Sequence, residues 1–375
     1  VSDDFKSKLE AYKKDELTET ELEDFEKELE KLEESQRFLE ENNIEQTKDA
    51  YVGEKKWWRR KGSGIFKTAF SIIGMILIFT VVSTVFTTVY YSWGEPDRID
   101  VYRNVIDHTF TITDPYGYLG GTSTNVHPFF RMEATRDIKK KVGDENIKAG
   151  EMTVNVLFSK MFYPVKEYAG KISDNKPSFS YPSTGGRNES AWNQLDQLPE
   201  GTVVSAYVSF AQLLETNEVF QRFAEKEMDL IWMAVDTGVE EDEKIIHEPI
   251  GFPNSPIWHD DDMIVTSREE KKGLFGRRVV SEGSVSPSYT EGDHEMLHRQ
   301  FLKTLSFLET YERKASDLYF GNLNLSERMD YLDMNGFQHY GVVITGPTKD
   351  ILQLKEEPWI RELAVDEVRF WNWRE

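Results

Sequence analysis

Near the start of the chain, large apolar residues recur at helical spacing on a polar background. Phe5, Leu9 and Tyr12 fall at i, i+4 and i+7, and after a break near Asp15 to Leu17 the spacing resumes at Leu22, Phe25, Leu29 and Leu32. Two short amphipathic helices are predicted. The second begins at Thr18, because Thr18-Glu19-Thr20-Glu21 is a capping box in which the Thr18 hydroxyl accepts from the Glu21 amide and the Glu21 carboxylate accepts from that of Thr18. The pattern then changes kind. From Thr68 to Trp93 no charged residue occurs over 26 positions and apolar side chains occupy every face, whereas about 20 such residues suffice to cross a bilayer. A transmembrane helix over 68–93 is predicted. Its place in the chain and its length set it apart from a cleavable leader, whose apolar core runs only about 7 to 15 residues. Thr80, Ser83, Thr84 and Thr87 either bond back to their own helix carbonyls or form a polar face for helix pairing, and the first is the expectation.

Past the span, alternation dominates. Thr109 to Thr113 and Met152 to Phe158 alternate as strands, and Ser173 to Asn193, rich in Ser, Pro, Gly and Asn, reads as a linker. Thr202 to Phe210 is a further strand, Asn217 to Glu227 a helix and Met228 to Val235 an apolar strand, so a β-α-β unit is predicted. It returns at the end: Tyr340 to Thr345 as strand, Thr348 to Lys355 as a helix entered through Gly346-Pro347, and Val365 to Trp373 as strand. The expected fold class is α+β, with N-terminal amphipathic helices, one transmembrane helix, a strand-rich region and a two-layer α+β domain. Its β-α-β units suggest a split arrangement with helices on one face. The divisions fall at 1–50, 51–67, 68–93, 94–197 and 198–375. Residues 266–293, polar and carrying Gly273, Gly276, Gly283 and Gly292, interrupt the last as a hairpin or mobile loop.

Charge adds direction to this layout. Residues 1–50 carry 8 basic and 18 acidic side chains, residues 51–67 carry 6 basic and 1 acidic, and the net charge of the whole is -22. Lys55, Lys56, Arg59, Arg60, Lys61 and Lys67 precede the span while Glu95, Asp97, Arg98 and Asp100 follow it, so the positive-inside rule places the N-terminus in the cytoplasm. Trp57 and Trp58 on one side and Tyr90, Tyr91 and Trp93 on the other suit the two membrane interfaces. The acidic balance disfavours direct nucleic-acid binding. Cysteine is absent, which excludes disulfides, thiolate metal sites and cysteine nucleophiles. No cofactor is expected. The acidic helices before the span carry too few large apolar residues to bury a core alone, so their stripes call for a partner: a groove on a basic cytoplasmic protein, or a second helix.

One sequence motif carries chemistry. His294-Glu295-Met296-Leu297-His298 matches H-E-x-x-H, in which two histidines one helical turn apart bind zinc and the glutamate acts as general base. Against it, Gly292-Asp293 reads as an N-cap that puts His294 in the first helical turn, the stripe Leu297, Phe301, Leu305 and Leu308 is explained as core, and nothing downstream names a third ligand. The expected metal set is therefore none, with His294, Glu295 and His298 as the alternative. His259-Asp260-Asp261-Asp262 gathers carboxylates without calcium-loop spacing and reads as a solvated acidic turn.

A family resemblance sits across these parts. Phe25 to Glu33 ahead of a single span is similar to the cytoplasmic start of the sigma-factor regulator family, the membrane-bound anti-sigma factors of Gram-positive bacteria that include the anti-sigma-M type. Leu198 to Val203, Gly251-Phe252-Pro253, Asp330-Tyr331, Tyr340-Gly341, Thr345 to Lys349, and Val365 to Trp373 with Glu367, Trp371, Asn372 and Trp373 resemble that family's C-terminal domain. Between Asn104 and Gln197 the likeness is weak. The resemblance implies a non-enzymatic inner segment that holds an extracytoplasmic-function sigma factor away from RNA polymerase, and an outer domain that senses an envelope signal or meets a second membrane protein. On the reading of the stripes, Phe5, Leu9, Tyr12, Leu22, Phe25, Leu29 and Leu32 make the contact. A membrane-anchored zinc peptidase and an envelope interaction protein without sigma contact are the alternatives.

Overall fold

The computed structural model describes residues 27, 58–169, 177–182, 189–240, 245–273, 276–319 and 321–373. It divides into two compact units, one of residues 1–98 with 126–132 and 157–159, the other of residues 99–125, 133–156 and 160–375.

The first unit is built on helix α1, Trp58–Tyr91. Its stretch Thr68–Tyr91 is long and apolar enough to span a membrane. Phe70, Met75, Ile78 and Val81 stand well out from it, an apolar surface of the kind that hydrocarbon stabilises. The hydroxyls of Thr80, Thr84, Thr87 and Thr88 donate to carbonyls four residues back, at 2.8 to 2.9 Å, as their spacing suggests. One stripe near the C-terminal end is covered: Ser83, Thr87 and Tyr91 are buried. The cover is the turn at Phe129 and Phe130, with Phe158 beside it. All three have positive φ, at 66°, 57° and 53°. That conformation costs a residue with a Cβ about 1–2 kcal/mol, which the rings offset by packing. Phe130 and Phe158 stack at 4.6 Å between centroids, and Tyr90 meets both edge-on.

The second unit opens with helix α2, Arg98–Thr113. Here the strand expected at Thr109 to Thr113 is corrected. Those five residues end a helix and are all buried, so their alternation carried no solvent-facing side to read; Thr111 and Thr113 hydroxyls donate to the carbonyls of Asp107 and Thr109. Strands β1 (Ser123–His127), β2 (Arg131–Val142), β3 (Glu145–Leu157) and β4 (Lys160–Met161) form a sheet in that order, and β5 (Val165–Tyr168) pairs with β3. Within the expected linker, β6 (Phe179–Ser180) pairs with β9 (Ile245–Ile246), and Glu189–Asp196 is a helix, α3, that buries Trp192. Polar composition there hid a few large anchors.

The central sheet contains β7 (Thr202–Glu215), β8 (Asp229–Val235), β10 (Gly251–Pro253), β13 (Gln338–Pro347) and β14 (Ile360–Phe370), in the order β10-β8-β13-β7-β14 with every neighbour antiparallel. Helix α4 (Thr216–Phe223) joins β7 to β8, and α8 (Thr348–Gln353) lies between β13 and β14. Since β7 and β8 both run against β13, and β13 and β14 both run against β7, each β-α-β unit is split by a strand of the other, the arrangement the sequence suggested. Residues 202–210, 230–235 and 339–347 are buried without a break, so both faces of the sheet are covered. Helical residues supply one cover, with Phe223 against Trp359, whose ring also meets Phe210, and Phe301 of α5 (His294–Thr310) against Phe252. The other cover is aromatic and largely non-helical: Tyr116, Phe179, Tyr181 and Ile246 pack on Tyr207, Trp232 and Val343. Gly341 is needed for it, because a Cβ there would lie 2.6 Å from both Phe179 Cδ1 and the Val208 carbonyl. The insertion forms a hairpin of β11 (Ile264–Gly273) and β12 (Gly276–Val285). Helices α6 (Glu312–Asp317) and α7 (Leu325–Asn335) complete the unit.

Candidate functional site

Phe5, Leu9, Tyr12, Leu22, Phe25, Leu29 and Leu32 lie outside the described residues; of their segment only Lys27 is described, as an exposed helical residue. The chemistry the structure does place is in the second unit, beginning with the H-E-x-x-H sequence. Asp293 caps α5 by accepting from the Met296 amide at 3.0 Å, which sets His294 at the first helical position as its sequence suggested. The two imidazoles lie 5.7 Å apart, centroid to centroid, and Glu295 is exposed. His298 is already engaged. Its Nε2 lies 2.7 Å from the Thr216 hydroxyl, and its ring stacks on Phe337 at 3.8 Å between centroids. Burial, and then the nearby His294, push its pKa down to about 4. Thr216 also bonds Nε2 of His339 at 2.8 Å, and burial pushes that fully enclosed imidazole down to about 3. The motif is thus one end of a buried polar chain at the junction of α4, α5 and β13.

A second cluster contains the acidic turn. His259 stacks on His108 with centroids 4.1 Å apart, and its Nε2 lies 2.9 Å from the Thr304 hydroxyl. Asp262 accepts from the His259 amide, and the Lys303 ammonium bridges Asp261 and Asp262 at 2.7 Å each. A lysine thus occupies the place a cation would take, and the carboxylates are salt-bridged as well as solvated. Burial, reinforced by the charges of His259 and Lys303, pushes His108 down to about 3. Among the described residues, no three His, Asp or Glu side chains are grouped as a metal ion needs.

Two buried ion clusters escaped sequence reasoning, because their members are far apart in the chain. Arg328 on α7 donates to Glu240 at 2.6 Å, to the Thr237 hydroxyl and to the Leu323 carbonyl. Lys140 on β2 meets Asp366 on β14 at 2.6 Å, and Asp366 also accepts from the Tyr116 hydroxyl at 2.8 Å. Nothing local marks them, since Lys140 stands between Lys139 and Lys141 and Asp366 beside Glu367. A polar cleft of about 250 Å³ is lined by residues including Asp114, Lys166, Tyr168, His247, Glu248 and Tyr319.

A helix long and apolar enough to span a membrane is followed in the chain by a mixed α+β unit whose acid and base groups are paired inside its core. The chain belongs to the sigma factor regulator family. The model for its C-terminal part, "Sigma factor regulator C-terminal", matches residues 195–367, and that for its N-terminal part, "Sigma factor regulator N-terminal", matches residues 58–147. The second match begins at α1 and reaches into the strands beyond it, where the sequence resemblance had looked weak. The chain is also 26% identical, over 388 residues and the full length of both proteins, to the probable anti-sigma-M factor YhdL of Bacillus subtilis (strain 168). No solved structure matches.

Proposed function

We propose that this chain is a single-pass anti-sigma factor that sequesters an extracytoplasmic-function sigma factor through residues 1–50. The observation that carries this reading is the order of charge and hydropathy around the span. An acidic segment with narrow apolar stripes leads into six basic residues, the span follows, and acidic residues close it. In this reading the N-terminus is cytoplasmic and residues 94–375 face outward. Phe5, Leu9, Tyr12, Leu22, Phe25, Leu29 and Leu32 bury against a basic sigma surface and mask its contact with polymerase. The outward part acts without catalysis, sensing an envelope signal or meeting a second membrane protein, with residues 198–375 as its regulator domain. Its motif histidine supports the non-catalytic reading, since His298 Nε2 is bonded to Thr216.

The test is a charge placed in the stripe. Phe25→Asp in the full-length chain removes an apolar contact and buries a carboxylate against the partner, so a promoter read by the cognate sigma factor is expected to turn on while the protein stays in the membrane at its normal level. Pull-down of the detergent-solubilised chain should lose the sigma factor in parallel. Unchanged reporter output at normal protein level sinks the assignment.

A further inference from the structure

We propose that the turn at Phe129 and Phe130 inserts into the membrane leaflet crossed by the C-terminal end of α1, as a second lipid contact besides the helix itself. The proposal rests on the reading of α1 as a membrane span. Its starting point is where the turn is tied. The Phe129 amide donates to Ser83 Oγ at 2.7 Å, the Phe130 amide donates to Thr87 Oγ1 at 2.9 Å, and the Phe129 ring lies 5.7 Å from that of Phe79. At about 1.5 Å per residue, Thr87 is about 6 Å and Ser83 about 12 Å below the helix end at Tyr91. A hydrocarbon layer about 30 Å thick takes about 20 residues, so one that begins at Thr68 ends near Thr87. Ser83 and Phe129 then lie a helical turn inside it.

The uncovered sides of the helix agree. At the same level, Val85, Phe86 and Val89 are 58%, 41% and 49% exposed, a surface that demands lipid rather than water. Phe129, 37% exposed, adds to that surface. Backbone in hydrocarbon must find internal partners, and this turn does. Besides the two amides, the Phe130 carbonyl accepts from the Tyr91 hydroxyl at 2.8 Å and from the Phe158 amide at 2.9 Å, and the Phe158 carbonyl accepts from Tyr91 at 3.3 Å. Ser83, Thr87 and Tyr91, one turn apart along one stripe, thereby give the loop the polar partners that lipid cannot. Phe129 and Phe130 hold the left-handed region, where glycine is the ordinary choice, and Phe129 thereby keeps an apolar ring at the surface of the turn.

The test uses the absence of cysteine, which makes any introduced thiol a unique label. The full-length chain is reconstituted in phosphatidylglycerol and phosphatidylethanolamine vesicles with a nitroxide at Phe129→Cys, Val85→Cys, Val89→Cys, Met75→Cys or Glu145→Cys, and its collisions with oxygen and with a water-soluble nickel chelate are read by power saturation. The expected result is loss of nickel accessibility at Phe129 and at Val85, relative to Glu145, with oxygen accessibility retained. A Phe129 label reached by nickel while Met75 is protected overturns the proposal and leaves the span standing. The labels at Val85 and Val89 leave the turn intact, and nickel reaching both overturns it in the same way. A Met75 label reached by nickel instead overturns the span, and the proposal with it.

Discussion

Thr216 offers a sharp test of how the second unit's core is held. Its hydroxyl stands between His298 Nε2 and His339 Nε2, while His339 Nδ1 lies 3.1 Å from the Ala234 carbonyl. A carbonyl only accepts, so Nδ1 of His339 carries the proton and Nε2 is an acceptor. Thr216 therefore donates to His339 and accepts from the Nε2–H of His298. One hydroxyl fixes two tautomers. Thr216→Val keeps the shape and the β-branch but strips both bonds, leaving an acceptor on a fully enclosed ring and a donor on a half-buried one. A buried polar group without its partner costs about 1–3 kcal/mol; with His339 carrying most of it, the expected loss is about 2–3 kcal/mol. At about 2–4 °C per kcal/mol for a domain of this class, the thermal midpoint should fall by about 4–12 °C. Near-UV circular dichroism of the solubilised protein reads it, with Thr216→Ser, which keeps the hydroxyl, as control. If the valine variant melts with the serine variant, the hydroxyl does not link the two rings. Zinc should leave the wild-type midpoint unchanged; a zinc-dependent rise would mean that His298 gives up its bond for a metal.

The same burial sets a pH dependence. His108, His298 and His339 are held near 3, 4 and 3. The unfolded chain therefore takes up protons near pH 6.5 while the folded one does not, so their contribution to stability is complete above that pH and is lost as pH falls from about 6.5 toward about 3. Their imidazole resonances should stay neutral down to about pH 5; midpoints near 6.5 at all three refute the burial argument. Arg328→Ala leaves Glu240, whose side chain is 4% exposed, with the Thr237 amide and hydroxyl but no counter-charge, and should cost about 3–5 kcal/mol in a urea titration. An effect below about 1 kcal/mol, typical of an exposed pair, would show that water reaches the carboxylate.

What the sequence made legible follows from how local each signal is. The span is a run of one kind of residue, and it needs no tertiary information. The strands Thr202 to Phe210 and Met228 to Val235 are apolar runs bounded by polar turns, and they appear in place, as do the Asp293 cap and the hairpin in the insertion. Thr109 to Thr113 failed for the opposite reason: a helix end buried all round has no polar face, so period two and period 3.6 become indistinguishable over five residues. Phe179 and Trp192 were hidden in polar surroundings because single anchors leave no period at all. For the site, the motif at His294 was visible while its partners were not. Thr216 and Phe337 reach His298 only through the fold, from 82 residues before it and from beyond the next helices.

That difference bears on what the second unit does. Catalysis by a histidine needs a nitrogen free to take or give a proton, and catalysis by a carboxylate needs an oxygen facing a substrate. Here both nitrogens of His339 are engaged, by Thr216 and Ala234, while His298 and His259 each hold Nε2 on a hydroxyl. Glu240 is closed by Arg328, and Asp366 by Lys140 and Tyr116. Burial moves the imidazoles toward the neutral form, which strengthens their role as fixed donors and acceptors and weakens any role as proton carriers near neutral pH. These pairings join elements distant in sequence: α4 to α5 and β13, α7 to the end of β8, β2 to β14. The polar residues of the core therefore specify which elements pack together.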